Sequence, residues 1–236
     1  MTNLHSIFRF QLRIYLFWIP LLALASCGEE ISSDNKPVTQ KKSTAPESFK
    51  ILILGDSLTE GYGVMESEAY PLILEKKLNL DSEESSKKNF QVINGGISGA
   101  TTSGGVSRIN WLLQSNPDFL ILALGGNDGL RGIPIEKIKE NLIKVVVAAQ
   151  SNNIPVLLAG MKIPPNYGIE YSESFTNLYS QISKEYNIAM IPFLLQGVGG
   201  EPSMNLPDRI HPNPKGHEII AKTVHQYLVK ELLTTQ

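Results

Sequence analysis

An α/β architecture, one three-layer α/β/α domain wound around a five-stranded parallel sheet, is the arrangement to which the residue pattern points, and three observations lead there. From Phe49 to Gln236 short apolar runs alternate with longer amphipathic ones, the pattern of successive β-α-β units. The short runs are mostly continuous in their hydrophobicity rather than alternating, as strands buried on both faces require. The 236 residues are 42% hydrophobic and 19% charged, enough apolar material for a sizeable core.

The expected elements follow in order. A first strand covers Lys50–Leu54, whose Ile-Leu-Ile-Leu run has no polar interruption, and a helix follows over Glu68–Leu78. The second strand is Phe90–Asn94 and the second helix Thr102–Gln114. The third strand, Phe119–Leu124, leads to a helix over Pro134–Gln150, where Ile135, Ile138, Leu142, Val145, Val146 and Ala149 keep helical spacing while lysines and glutamates fill the other positions. A fourth strand at Pro155–Gly160 precedes a helix at Ser172–Tyr186. A fifth at Ala189–Ile191 precedes the last helix, Pro214–Leu233, with Asn213 as its N-cap and Pro214 at its first position. No internal repeat is visible. In sheets of this kind ligands sit beyond the carboxyl ends of the strands, near the point where strand order reverses, so the chemistry is sought in the loops after each strand.

Ahead of this domain the chain is different. Arg9 and Arg13 are the only formal charges before an apolar stretch from Ile14 to Ala25, which is the layout of a signal peptide. The stretch is shorter than the about 20 residues needed to cross a hydrocarbon core, and Pro20 weakens a spanning helix further. Leu24-Ala25-Ser26-Cys27 resembles the lipobox of bacterial lipoproteins, which implies processing that leaves Cys27 as a lipid-modified N-terminus. An ordinary secretory signal cut near Ala25 is the alternative. Removing residues 1–26 takes away two arginines and no acid, so charge does not hold the remainder on an anionic bilayer, whereas acyl chains on Cys27 do, at about 0.8 kcal/mol per buried CH₂. Residues 27–48 then form a polar tether with a reach on the order of 25 Å, and residues 49–236 form the folded domain.

Several functions are disfavoured by composition. With 21 Lys+Arg against 23 Asp+Glu there is no basic excess for nucleic acid. One cysteine precludes an intramolecular disulfide, and four scattered histidines make no cluster with zinc spacing, so no metal is expected. Gly99-x4-Gly104 is followed by Gly105 where a phosphate loop has lysine, and G-x-G-x-x-G is absent, so no nucleotide cofactor is expected either.

The loops after the strands carry the chemistry. Gly55-Asp56-Ser57-Leu58 offers a serine, Asn94-Gly-Gly-Ile-Ser-Gly99 offers backbone N–H groups free to approach a ligand, and Gly125-Gly126-Asn127-Asp128 offers a carboxamide. Asp208-Arg-Ile-His211 offers a carboxylate three residues before an imidazole. Each alone is ordinary: a serine there is usually a turn former or cap, Asn-Asp-Gly is turn chemistry, and a loop histidine is usually solvated. Together they supply a nucleophile, a base, a group to orient the base and oxyanion donors, the full requirement of acyl transfer. His217 and His225, on the last expected helix, have no acid three residues upstream and are assigned structural or surface roles.

In this order the four blocks resemble those of the SGNH hydrolases, or GDSL esterases and lipases, across residues 50–233. Leu124–Gly132 and Pro164–Gly168 look most like the bacterial periplasmic esterases that also act as thioesterases and lysophospholipases. The G-x-S-x-G elbow of the α/β-hydrolases is absent. The resemblance implies a flavodoxin-like fold, Ser57 as nucleophile, His211 as general base and Asp208 orienting it. It implies oxyanion donors at the N–H of Ser57, the N–H of Gly99 and the amide of Asn127. Leu130, Ile163 and Tyr167 are the candidate walls of an acyl site. The expected substrate is a small-molecule acyl ester, thioester or lysophospholipid, with an O-acetyl esterase of carbohydrate or peptidoglycan and a non-catalytic lipid-anchored binding protein as the alternatives. A histidine base must be neutral, so activity should fall on acidification through the histidine range, about 6.5 for an unperturbed side chain.

Overall fold

The computed structural model describes residues 48–85 and 88–234. Segment 1–26, Cys27 and nearly all of the expected tether lie outside the described residues. Five parallel strands form one sheet in the order β2-β1-β3-β4-β5: β1 (Phe49–Gly55), β2 (Phe90–Gly96), β3 (Phe119–Ala123), β4 (Val156–Ala159) and β5 (Ala189–Ile191). Helices are α1 (Ser57–Glu60), α2 (Tyr70–Ser85), α3 (Thr102–Leu112), α4 (Gly126–Leu130), α5 (Ile135–Gln150), α6 (Ile169–Glu185) and α7 (Pro214–Thr234). α2 packs against α7, while α3, α5 and α6 pack side by side, so helices cover the sheet as two separate layers.

The strands behave as their composition requires. Ile51, Leu52, Ile53 and Leu54 of β1 and Leu120, Ile121 and Leu122 of β3 are fully buried, each contributing about 1.5–3 kcal/mol relative to exposure. On α5 the apolar spacing seen in the sequence becomes a buried stripe of Ile138, Leu142, Val145, Val146 and Ala149. Asn213 caps α7 as expected, its Oδ1 accepting the Gly216 N–H at 3.1 Å. His217 and His225 are structural: His217 is fully buried, with Nδ1 accepting the Tyr70 N–H at 3.3 Å, and His225 Nε2 lies 2.7 Å from Asp81 Oδ2 on α2.

Three boundaries differ from expectation. α2 begins at Tyr70 after a 3₁₀ turn at Glu66–Glu68, with Pro71 in its first turn where a missing N–H is tolerated. It runs past Leu78 through a polar turn because Asn79 is clamped to β2, donating to Phe90 O at 3.0 Å and accepting the Phe90 N–H at 2.8 Å. α6 starts three residues early, at Ile169. The short helices α1 and α4 fall where only loops were expected, directly after β1 and β3.

The sheet order reverses between β1 and β3, and the register pairs Gly55 with both Gly96 and Ala123. The carboxyl ends of three strands therefore finish side by side, and the segments bearing Ser57, Gly99 and Asn127 leave from one edge.

Candidate active site

Asp56 sets the position of Ser57. Its Oδ1 accepts the Leu58 N–H at 3.0 Å and its carbonyl accepts from Thr59 and Glu60, starting α1 and leaving the Ser57 N–H the one amide of this turn without a partner among the described residues. Asp56 is only 4% exposed, and burial pushes its carboxyl up to about 6 despite the Leu58 hydrogen bond and the nearby imidazole. Neither this burial nor the capping role has a signal in the motif.

The opposite wall comes from the segment before α7. Leu206 N–H donates to His211 O at 2.7 Å and Asn213 N–H to Met204 O at 2.9 Å, closing the loop on itself, while Asn205 Nδ2 ties it to Val198 O and Glu201 O at 2.7 Å each. Within the loop Asp208 Oδ1 accepts the N–H groups of Ile210 and His211 at 2.9 and 3.0 Å, and Oδ2 lies 2.7 Å from His211 Nδ1. These hydrogen bonds, led by the backbone ones, hold the Asp208 carboxyl down at about 2, so it is ionised at any ordinary pH. His211 Nε2 lies 3.0 Å from Ser57 Oγ. The Tyr62 ring, also unforeseen, rests 4.5 Å from the imidazole, centroid to centroid. Three side chains separated by up to 154 positions thus form one continuous hydrogen-bonded row.

Asn127 sits on α4, with Nδ2 donating to Ala100 O at 3.0 Å and reaching Asp56 Oδ2 at 3.4 Å. Behind it Asp128, 2% exposed, accepts the Thr102 N–H at 2.9 Å and the Thr102 hydroxyl at 2.6 Å, which ties α4 to the start of α3. Gly99 adopts φ +75 in the turn before α3, a conformation glycine takes without strain, and Arg131 Nη2 donates to its carbonyl at 3.2 Å. Its N–H has no acceptor among the described residues.

A cavity of about 510 Å³ opens beside Ser57 and His211. Leu130, Met161, Ile163, Pro164, Phe193 and Leu195 form its apolar wall. Leu130 and Ile163, two of the three residues expected to wall an acyl site, line this cavity. Tyr167, the third, does not: it lies on a 3₁₀ turn at Pro165–Tyr167 that carries the chain away after Pro164. Gly99 also lies outside the lining, beside it through Ala100. Met161, Phe193 and Leu195 come from the ends of β4 and β5, and only the folded sheet edge reveals them.

The chain is similar to known proteins in sequence and in fold. Residues 53–219 match the model of the GDSL-like Lipase/Acylhydrolase family. The chain is 37% identical over 186 residues to an arylesterase of Vibrio mimicus, covering 78% of this chain and 90% of that relative. It is 31% identical over 222 residues to thioesterase 1/protease 1/lysophospholipase L1 of Escherichia coli K12, covering 94% and 93%. Among solved structures, the psychrotrophic esterase EstA from Pseudoalteromonas sp., inhibited by monoethylphosphonate, superposes with a TM-score of 0.72 at 35% identity, covering 78% of this chain and 99% of that one. With the family's pattern matched from within β1 to α7, and the two lengthy relatives aligned over most of their own length, the chain belongs to the GDSL-like lipase and acylhydrolase family.

Proposed function

We propose that this domain hydrolyses carboxylic acyl esters, with thioesters and lysophospholipids in the same substrate class, through a covalent acyl-serine. The observation that carries this is the row Ser57 Oγ, His211 Nε2, His211 Nδ1, Asp208 Oδ2, with spacings of 3.0 and 2.7 Å on either side of the ring. A serine hydroxyl becomes a competent nucleophile when an imidazole accepts its proton, a step that contributes about 10²–10⁴-fold. Ser57 attacks the acyl carbonyl as His211 takes its proton, and the ionised Asp208 stabilises the resulting imidazolium. His211 then protonates the leaving alcohol or thiol, and water repeats the sequence to release the acid. The N–H groups of Ser57 and Gly99 and the Asn127 amide serve the oxyanion, each worth about 2.7–4 kcal/mol where such donors are removed from other enzymes. The acyl group lies along Leu130 and Ile163.

Ser57→Ala is expected to abolish 4-nitrophenyl butanoate hydrolysis while the circular dichroism spectrum and melting temperature stay near wild type. A fluorophosphonate probe should label Ser57 and nothing in that variant, in line with the phosphonate inhibition of EstA. Undiminished hydrolysis by Ser57→Ala overturns the assignment.

The same proposal extends to the N-terminus: residues 1–26 are an export signal, Cys27 carries lipid, and residues 27–48 tether the domain on the periplasmic or cell-surface side of a bacterial membrane. Leu24-Ala25-Ser26-Cys27 supports this. Cys27→Ala should move the protein from the membrane to the soluble fraction, and an unchanged distribution sinks the lipid anchor.

A further inference from the structure

Ester hydrolysis does not require the charge that lines this cavity. Lys162 and Arg209 both face it, both are exposed, and neither pairs with a carboxylate among the described residues. The one acid in the lining, Asp56, is buried and occupied by Leu58 and Asn127. In a chain with 21 basic and 23 acidic residues, two unpaired cations lining one cavity are a local concentration rather than a consequence of net charge.

Backbone conformation marks Arg209 further. Among the described residues four non-glycine residues have positive φ; three are asparagines, which tolerate the left-handed region, and the fourth is Arg209 at φ 61. Its N–H closes a turn onto Leu206 O at 2.9 Å between Asp208 and His211, a place glycine or asparagine fills with less strain. Its exposed side chain gains no burial there. A strained residue beside the reacting groups is the kind of outlier from which a functional role is inferred. Lys162 is held at the wall by the Phe193 ring, its Nζ 5.1 Å from the ring centroid.

Building on the hydrolase assignment of Ser57, we propose that Arg209 and Lys162 select acyl esters and thioesters whose leaving group carries a phosphate or comparable anion, while the acyl chain occupies the apolar wall. Arg209 is two residues from His211, the group that protonates the leaving atom, and so belongs to the leaving-group side. Its planar fork matches a phosphate in bidentate fashion and Lys162 adds a point charge. A glycerophosphate headgroup and a phosphate-bearing thiol present the same chemistry.

The test compares kcat/KM within three pairs of matched acyl group: 4-nitrophenyl against 3-carboxy-4-nitrophenyl butanoate, monoacylglycerol against lysophosphatidylglycerol, and an N-acetylcysteamine thioester against the coenzyme A thioester. The wild type is expected to favour the anionic member, and the lipid and thioester pairs show which source is preferred. Arg209→Asn, which suits the backbone, should lower the anionic-to-neutral ratio about tenfold, the factor a charge-assisted hydrogen bond commonly carries, with Arg209→Lys losing less. Added salt should move the ratio toward one. Equal rates within every pair, or a ratio indifferent to Arg209→Asn, overturns the charge selection and leaves the hydrolase standing. Hydrolysis of no member of any pair overturns both.

Discussion

Asn127 holds its amide in two hydrogen bonds before any substrate arrives, and they are unequal. The bond to Ala100 O, at 3.0 Å, is ordinary, whereas the 3.4 Å contact with Asp56 Oδ2 lies beyond the usual range of about 2.7–3.2 Å. The weakly held hydrogen is the one a developing oxyanion can recruit, while the Ala100 bond keeps the carboxamide in place. Because the charge it serves exists only near the transition state, Asn127→Ala should lower kcat by about 10²–10³-fold with KM little changed. Steady-state kinetics check this; a rise in KM at constant kcat contradicts it. Asp208 acts differently, since its carboxyl, held at about 2, stays charged throughout the working range. An acid limb in the rate profile therefore belongs to groups other than Asp208.

At the level of the secondary elements, α1 is positioned by the absence of side chains beneath it. A Cβ on Gly96 would lie 2.2 Å from Glu60 N and 2.7 Å from the Thr59 carbonyl carbon, both backbone atoms that no rotamer change can clear. Gly55 meets the same turn, with its Cβ position 1.9 Å from Thr59 Oγ1. The helix bearing Ser57 thus rests directly on the ends of β1 and β2. Gly96→Ala must lift it, and a misplacement of about 1 Å at reacting atoms costs on the order of 10²-fold in rate. Overpacking of this kind costs about 1–3 kcal/mol of stability. The expected outcome is a large loss of kcat/KM with a modest drop in melting temperature, measured on the same sample. Full activity would show that α1 has slack. Glycines at these strand ends are legible in the sequence, but their role is visible only once α1, unforeseen there, is seen to press on them.

Across the molecule as a whole, two buried ionisable groups oppose one another in their effect on stability. His217, on α7, is held down to about 4, chiefly by burial. Its unfolded form binds a proton from about 6.5 downward and its folded form does not until about 4, so its contribution falls as pH drops through that window. Asp56 is raised from 3.8 to about 6 by burial, so the folded state binds the extra proton between those values and its contribution rises as pH drops. The windows nearly coincide and the slopes have opposite sign. In wild type the two should largely cancel between about pH 6 and 4. His217→Gln should make the melting temperature rise relative to wild type on acidification across that interval, and Asp56→Asn should make it fall, as followed by thermal melts at fixed ionic strength. Identical pH slopes in all three proteins contradict this opposition.

Residue order alone was sufficient for the five strands, the long helices and the convergence of Ser57, Asp208, His211 and Asn127 on one sheet edge. Apolar runs report burial locally, and a parallel sheet delivers every post-strand loop to the same side. Burial in the aggregate, however, is not local. The raised carboxyl of Asp56, the ring of Tyr62 on His211 and the cavity walls from Met161, Phe193 and Leu195 arise from segments that meet only after folding. Tyr167 lies outside the cavity lining because a proline-led turn redirects a chain whose apolar residues look equally eligible on paper. Arg209 passed unnoticed for the same reason: a left-handed backbone and a cavity-facing charge are properties of a closed loop, and no run of letters encodes them until the loop has closed.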